Sequence, residues 1–329
     1  MKSKIKNRSD PPMNSPLPSF ENHLPRRVIT GRGASQSLAA LCQANGWSRV
    51  FVVSDAGVAG AGLLQQVVLP LQAETFAEVP SEPPIEVADT IAARIRASGA
   101  DAVIALGGGS VMDAAKVASL CARHNKAAHE FVGIGKAGGR GLPTVLIPTT
   151  AGTGSEATFV AILTDPASGN KVGVLDPCIL ADIAIVDPAL TDGLPVHVTA
   201  SAGMDALVHA IEGFIAKVAT PLARGLALEA ARRIGRSLGN GLPRTGKHRG
   251  ARRHGYRLAS RRHDVCQLLV LRRARAGVAL RRTLSHPAWR YHRLLRGGND
   301  APQCASLRGG FHGAGPGARL GRDRGHGLC

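Results

Sequence analysis

Asp101-Ala-Val-Ile-Ala-Leu-Gly-Gly-Gly-Ser-Val-Met-Asp-Ala-Ala-Lys116 runs an apolar segment straight into three glycines and then into an alanine-rich segment. Val103 to Leu106 read as a buried parallel strand, and the residues through Lys116 read as a helix capped by Ser110. Gly107, Gly108 and Gly109 between them predict turns that a side chain would obstruct and a backbone that a ligand can approach closely. N–H groups at the start of such a helix, with the positive end of its dipole, favour a pyrophosphate. A tight strand-to-helix turn without a ligand satisfies three glycines equally well, so the neighbouring motifs decide.

Leu142-Pro-Thr-Val-Leu-Ile-Pro-Thr-Thr-Ala-Gly-Thr-Gly-Ser-Glu-Ala-Thr158 is a second apolar strand opening into small residues. Thr149, Thr150, Thr153 and Ser155 crowd hydroxyls onto one loop after a strand, where open α/β sheets bind ligands. Farther on, Ser201-Ala-Gly-Met-Asp-Ala-Leu-Val-His-Ala-Ile-Glu-Gly-Phe214 fits a helix. Met204, Leu207, Val208, Ile211 and Ile215 predict its buried stripe. Asp205 and His209 are four apart, so both side chains stand on one helical face and suit one divalent metal. An internal Asp–His hydrogen bond explains that spacing as well, and for an isolated pair it is the commoner outcome.

In this order the three segments resemble the iron-containing alcohol dehydrogenase family. Gly107 to Lys116 is similar to its pyrophosphate loop, Pro148 to Glu156 to its second cofactor loop, and Gly203 to Gly213 to its first metal-ligand helix. Pro25-Arg-Arg-Val-Ile-Thr-Gly-Arg-Gly-Ala34 and the run from Lys171 to Thr191 also fit, so the resemblance covers about residues 24 to 238. It implies a dinucleotide held by Gly108, Gly109 and Ser110, with Asp113, Thr149, Thr150, Thr153, Thr158, Lys171 and Leu190 completing the cofactor site. It implies that Asp205 and His209 bind Fe2+, with Zn2+ as the alternative. Asp55 follows the strand Val50 to Val53, where a carboxylate accepts from an adenosine ribose and repels a 2′-phosphate, which argues for NAD over NADP. A surface Asp opening a loop is an equally ordinary reading of Asp55.

The expected fold is α/β, with a parallel-sheet dinucleotide-binding domain over 24–197 and the start of a mostly helical metal-binding domain over 198–244. Residues 1–23, rich in proline and small polar residues, read as a disordered lead-in. No uninterrupted apolar run is long enough for a bilayer, and Cys42, Cys121 and Cys178 are widely spaced, so a reducing cytoplasm is the expected setting. Homo-oligomerisation is left open.

Residues 245–329 break the pattern. They hold 19 Lys+Arg against Asp264, Asp300 and Asp323, which is +16 of the chain's +18. After Ile234 there is no Ile or Met, and after Glu229 no Glu. Such a segment cannot easily bury a core, so a natively folded domain is not expected there. A nucleic-acid-binding basic arm is one reading, with Trp289, Tyr291 and Phe311 available for stacking. A metal-binding tail is another, although Cys266, Cys304 and Cys329 lack zinc-site spacing. Translation out of frame accounts for more, because it yields excess Arg, Gly, Ala, Pro and His and abolishes helical periodicity. The resemblance implies two further metal-binding histidines in the helical domain, and neither of their motifs is present.

The function expected from all this is NAD(P)-dependent, metal-assisted oxidation of an alcohol to an aldehyde or ketone, in a copy lacking half of its metal site. A maleylacetate reductase-like or glycerol dehydrogenase-like oxidoreductase is the alternative within the fold. Nucleic-acid binding through the basic segment is the alternative from another class.

Overall fold

The computed structural model describes residues 19–71 and 73–241. Arg27–Thr30 (β1) leads into Leu38–Ala44 (α1), then Val50–Val53 (β2), Ala56–Gly60 (α2), Leu63–Val68 (α3) and Glu74–Phe76 (β3). Glu86–Ser98 (α4), Ala102–Gly107 (β4), Gly109–His124 (α5), Gly133–Ile134 (β5) and Thr144–Pro148 (β6) follow. Val160–Thr164 (β7), Lys171–Leu175 (β8), Ile183–Val186 (β9), Val196–Ile215 (α6) and Pro221–Gly241 (α7) complete the order.

Six strands form one sheet in the order β1-β9-β6-β4-β2-β3, and every neighbouring pair is parallel. The alternation of side chains along each strand builds two cores. Phe51, Val53, Val103, Ala105 and Leu146 pack with α4 and α5 on one face. Val52, Ala102, Ile104, Leu106, Val145 and Ile185 pack with α1 to α3 on the other. The apolar runs of β2, β4 and β6 thus have no polar alternation because both faces are covered. A small sheet, β5-β8-β7, stands apart, with β7 and β8 antiparallel.

The chain steps from β2 to β3 in one direction, then returns to place β4 on the other side of β2. The order reverses between β2 and β4, and at such a reversal the carboxyl ends of the strands open a crevice for ligands. Asp55 follows β2 and the glycine triplet follows β4, so both stand at this crevice.

α6 and α7 pack as a pair over Ala206, Ala210, Ala230 and Ile234. The expected buried stripe is corrected here: Met204, Ile211 and Ile215 are exposed, and Leu207 and Val208 are half-buried. Ala206, Ala210 and Gly213 form the buried face, since small residues let the two helices approach closely.

The lead-in is also corrected at its end. Asn22 accepts a hydrogen bond from the Thr220 hydroxyl (3.0 Å), and His23 stands edge-on to Phe159. Residues 1–18 and 242–329 lie outside the described residues, so the expectation for 245–329 does too. No described helix is long and apolar enough to cross a membrane, and Cys42, Cys121 and Cys178 are free thiols.

Candidate functional site

β4 runs out at Gly107 and α5 begins at Gly109, so the cap position falls on Gly108 and not on Ser110. Gly108 supplies no side chain to the first N–H groups of α5, which therefore remain available to an anion. Ser110 instead sits in the first turn, where its Oγ accepts from the Glu82 amide at 3.4 Å.

The three glycines are needed for space, and not for an unusual turn. None has a positive φ, and Gly108 at φ −80° has a backbone open to any residue. A Cβ at Gly107 would come within 2.6 Å of Val111, and one at Gly109 within 2.7 Å of Thr153. A Cβ at Gly108 would have 3.6 Å to Thr150 Oγ1, its nearest neighbour. Gly107 and Gly109 let protein pack against protein, whereas a Cβ at Gly108 would meet the Thr150 side chain only at ordinary van der Waals distance.

The second loop follows β6. Thr149 continues the strand, its amide donating to the Gly107 carbonyl (3.0 Å), which fixes the loop beside the glycines. Thr150 and Thr153 are half-buried beside the glycines, Thr149 is buried, and Gly154 takes φ +61° to turn the chain.

Behind this loop lies a buried polar network that the sequence reading missed. Lys116, wholly buried on α5, donates to Ser155 Oγ (2.7 Å), Thr158 Oγ1 (3.2 Å) and the Val160 carbonyl (3.1 Å). The Ser155 hydroxyl in turn donates to Asp113 Oδ1 (2.5 Å), and the other Asp113 oxygen accepts from the Ile162 amide (2.9 Å). Lys116 Nζ is 3.7 Å from Asp113. A charge without water needs such partners, and here they fasten α5 to the second loop. Asp113 and Thr158 are thus buried, their side chains engaged with Ser155 and Lys116. The signal in the sequence was Asp113 and Lys116, one turn apart in a helix otherwise of Ala, Val and Leu.

Around the rim, Asp55 caps α2 by accepting from the Val58 amide (2.9 Å). Lys171 donates to Thr164 Oγ1 (2.9 Å) and lies 3.5 Å from Glu82, whose φ of +54° is rare for a residue with a side chain. Leu190 is only 2% exposed and belongs to the sheet core, so it offers a ligand little surface. Asp187, also missed, accepts from the Gly33, Ser35 and Ala189 amides and from the Ser35 hydroxyl at 2.6 to 3.1 Å. It ties the loop after β1 to the end of β9.

Asp205 Oδ2 and His209 Nδ1 lie 3.7 Å apart on α6; both side chains are partly accessible, while Nδ1 itself is buried. That geometry suits two donors on one cation. Among the described residues no group of three or more His, Cys, Asp or Glu is placed to hold a metal, so two donors are what this region supplies.

Comparison with known proteins extends these observations. The chain is 35% identical over 225 residues to a sulfoacetaldehyde reductase of Bilophila wadsworthia, covering 67% of this chain and 58% of that protein. It is 39% identical over 216 residues to long-chain-alcohol dehydrogenase 1 of Geobacillus thermodenitrificans, covering 63% of this chain and 54% of that protein. The chain thus spans little more than half the length of these relatives. The crystal structure of the sulfoacetaldehyde reductase of Bifidobacterium kashiwanohense in complex with NAD+ superposes with a TM-score of 0.69 at 29% identity, covering 79% of this chain and 66% of that one. The family model for iron-containing alcohol dehydrogenase matches residues 25–188, and the C-terminal model of the same family matches 199–253, past the limit of about 238 that the motifs marked. Together the two family models cover most of the described residues, and the chain belongs to the iron-containing alcohol dehydrogenase family.

Proposed function

We propose that residues 24–197 bind NAD(H) and that residues 198–244 begin the metal-binding domain of an alcohol dehydrogenase. The observation that carries this is Gly108, a helix start without a side-chain cap, beside Thr150 at the sheet's switch point. A pyrophosphate there takes N–H groups from Gly109 and Ser110 and hydroxyls from Thr149, Thr150 and Thr153. Asp55 accepts from the adenosine ribose and disfavours a 2′-phosphate, so NAD is preferred to NADP. Lys171 adds positive charge at the rim, while Asp113, Thr158 and Leu190 support the site from behind.

The substrate is an alcohol or its aldehyde or ketone, the class to which the names of the related long-chain-alcohol dehydrogenase and sulfoacetaldehyde reductase point. Asp205 and His209 hold a divalent ion, Fe2+ or Zn2+, which when bound polarises the substrate oxygen. The chain's own part is to orient the dinucleotide and present those two donors. The setting is cytoplasmic. The nucleic-acid alternative rests on residues outside those described, whereas the family match falls on the cofactor and metal motifs.

Titration of the whole chain with NADH, read by nicotinamide fluorescence, tests the reading. Binding is expected in the wild type. Gly108→Val is expected to weaken it by at least about tenfold, equivalent to about 1.4 kcal/mol. Undiminished affinity in that variant refutes the cradle.

A further inference from the structure

We infer that Gly152 is a positioning residue, aiming the Asp205–His209 pair at the cofactor loop through a backbone contact with α6. The inference deepens the function proposed above and rests on it. Gly152 is buried in the second loop, and a Cβ there would lie 2.9 Å from both Ala202 Cα and the Ala202 carbonyl oxygen, and 3.0 Å from Ala202 Cβ. Two of those three atoms are helix backbone. No rotamer change relieves them, so any side chain at 152 displaces α6 itself.

Helix periodicity gives the contact its meaning. Asp205 and His209 stand three and seven residues beyond Ala202 on α6. At about 100° per residue they point within roughly 60° and 20° of the direction in which Ala202 meets Gly152. The face that touches the loop is therefore the face that carries the two donors. On its other side the loop meets Gly109, where a Cβ would come within 2.7 Å of Thr153. A line of close contacts thus runs from the start of α5 to the Thr153 side chain, through Gly152 to the Ala202 backbone, and along α6 to the pair. Packed contacts of this kind move as units, so ordering the loop orders the helix.

Amide hydrogen exchange of the whole chain, with and without saturating NADH, tests this without metal or turnover. In the wild type, NADH is expected to slow exchange over residues 107–113 and also over 199–210. Gly152→Ala is expected to keep the first protection and lose the second. Ala202→Gly opens the same contact without a clash and is expected to give the same split to a smaller degree, which covers the case in which Gly152→Ala does not fold. Protection over 199–210 that survives in the folded variants overturns the inference, as does its absence in a wild type protected at 107–113. No protection at 107–113 in the wild type refutes the cofactor reading itself, and this inference with it.

Discussion

The sheet region and the α6–α7 pair bury different kinds of residue. Between β2, β4, β6 and β9 the interior is built from Phe, Ile, Leu and Val covered on both faces, so this region closes over its own core. The helix pair buries three alanines and one isoleucine and leaves Ile211, Phe214 and Ile215 on α6 and Leu222 and Leu228 on α7 exposed. The first region therefore holds its shape by large buried side chains and the second by close approach of small ones. The proposed dinucleotide site lies in the first, whereas the proposed metal site draws two donors from the second.

The largest expected effect concerns the metal that the chain retains. The gene read in another frame downstream of the codon for residue 253 is expected to encode the helical half of the family, which DNA sequencing checks. As it stands, the chain is expected to retain well under one equivalent of iron or zinc after dialysis, and the repaired chain a full equivalent. A full equivalent on the present chain, measured by elemental analysis, would contradict the two-donor site.

Within the sheet region, Lys116→Met leaves the Asp113 carboxylate buried without its cation. Breaking a buried pair from one side costs about 3–5 kcal/mol, read by chemical denaturation. Adding Asp113→Asn is expected to recover part of that loss.

Ile104→Ala removes a fully buried side chain of β4, at a cost of about 2–5 kcal/mol. Cys121 offers a pH test of the same interior. Burial, with the charge of Asp89 nearby, pushes its thiol up to about 12 from 9.0. The folded state keeps the proton that the unfolded chain releases, so this contribution is complete below pH 9 and is lost as pH rises from 9 towards 12. Cys121→Ala is expected to show a shallower fall in stability over that window. The smallest effect belongs to the helix pair, where Ile211→Ser on the exposed face is expected to change stability by no more than about 0.5 kcal/mol. A large loss there would mean that the face is covered.

The strands were legible because burial on both faces leaves an apolar run, unbroken in Ala102–Gly107, where it ends in glycine, and from Val145 to Pro148 in β6, where it opens into threonines. The cradle was legible for a reason partly different from the one inferred, since packing against Val111 and Thr153 excludes side chains where unusual turns were expected. Lys116 was hidden because a lysine on a helix ordinarily marks the solvent side, and only its distant partners Ser155, Thr158 and Val160 reverse that. The stripe on α6 was misassigned because periodicity reports which residues are apolar, while close helix approach selects the small ones.

The seating of β1 has a consequence for biosynthesis. Its pairing partner in the sheet is β9, with Arg27 beside Ile183, and the carboxylate that locks the following loop belongs to Asp187. Translation at ~5–20 residues per second separates Gly33 from Asp187 by roughly 8–30 s. Among the described strands β1 is made first, yet its ladder cannot close until β9 has been synthesised.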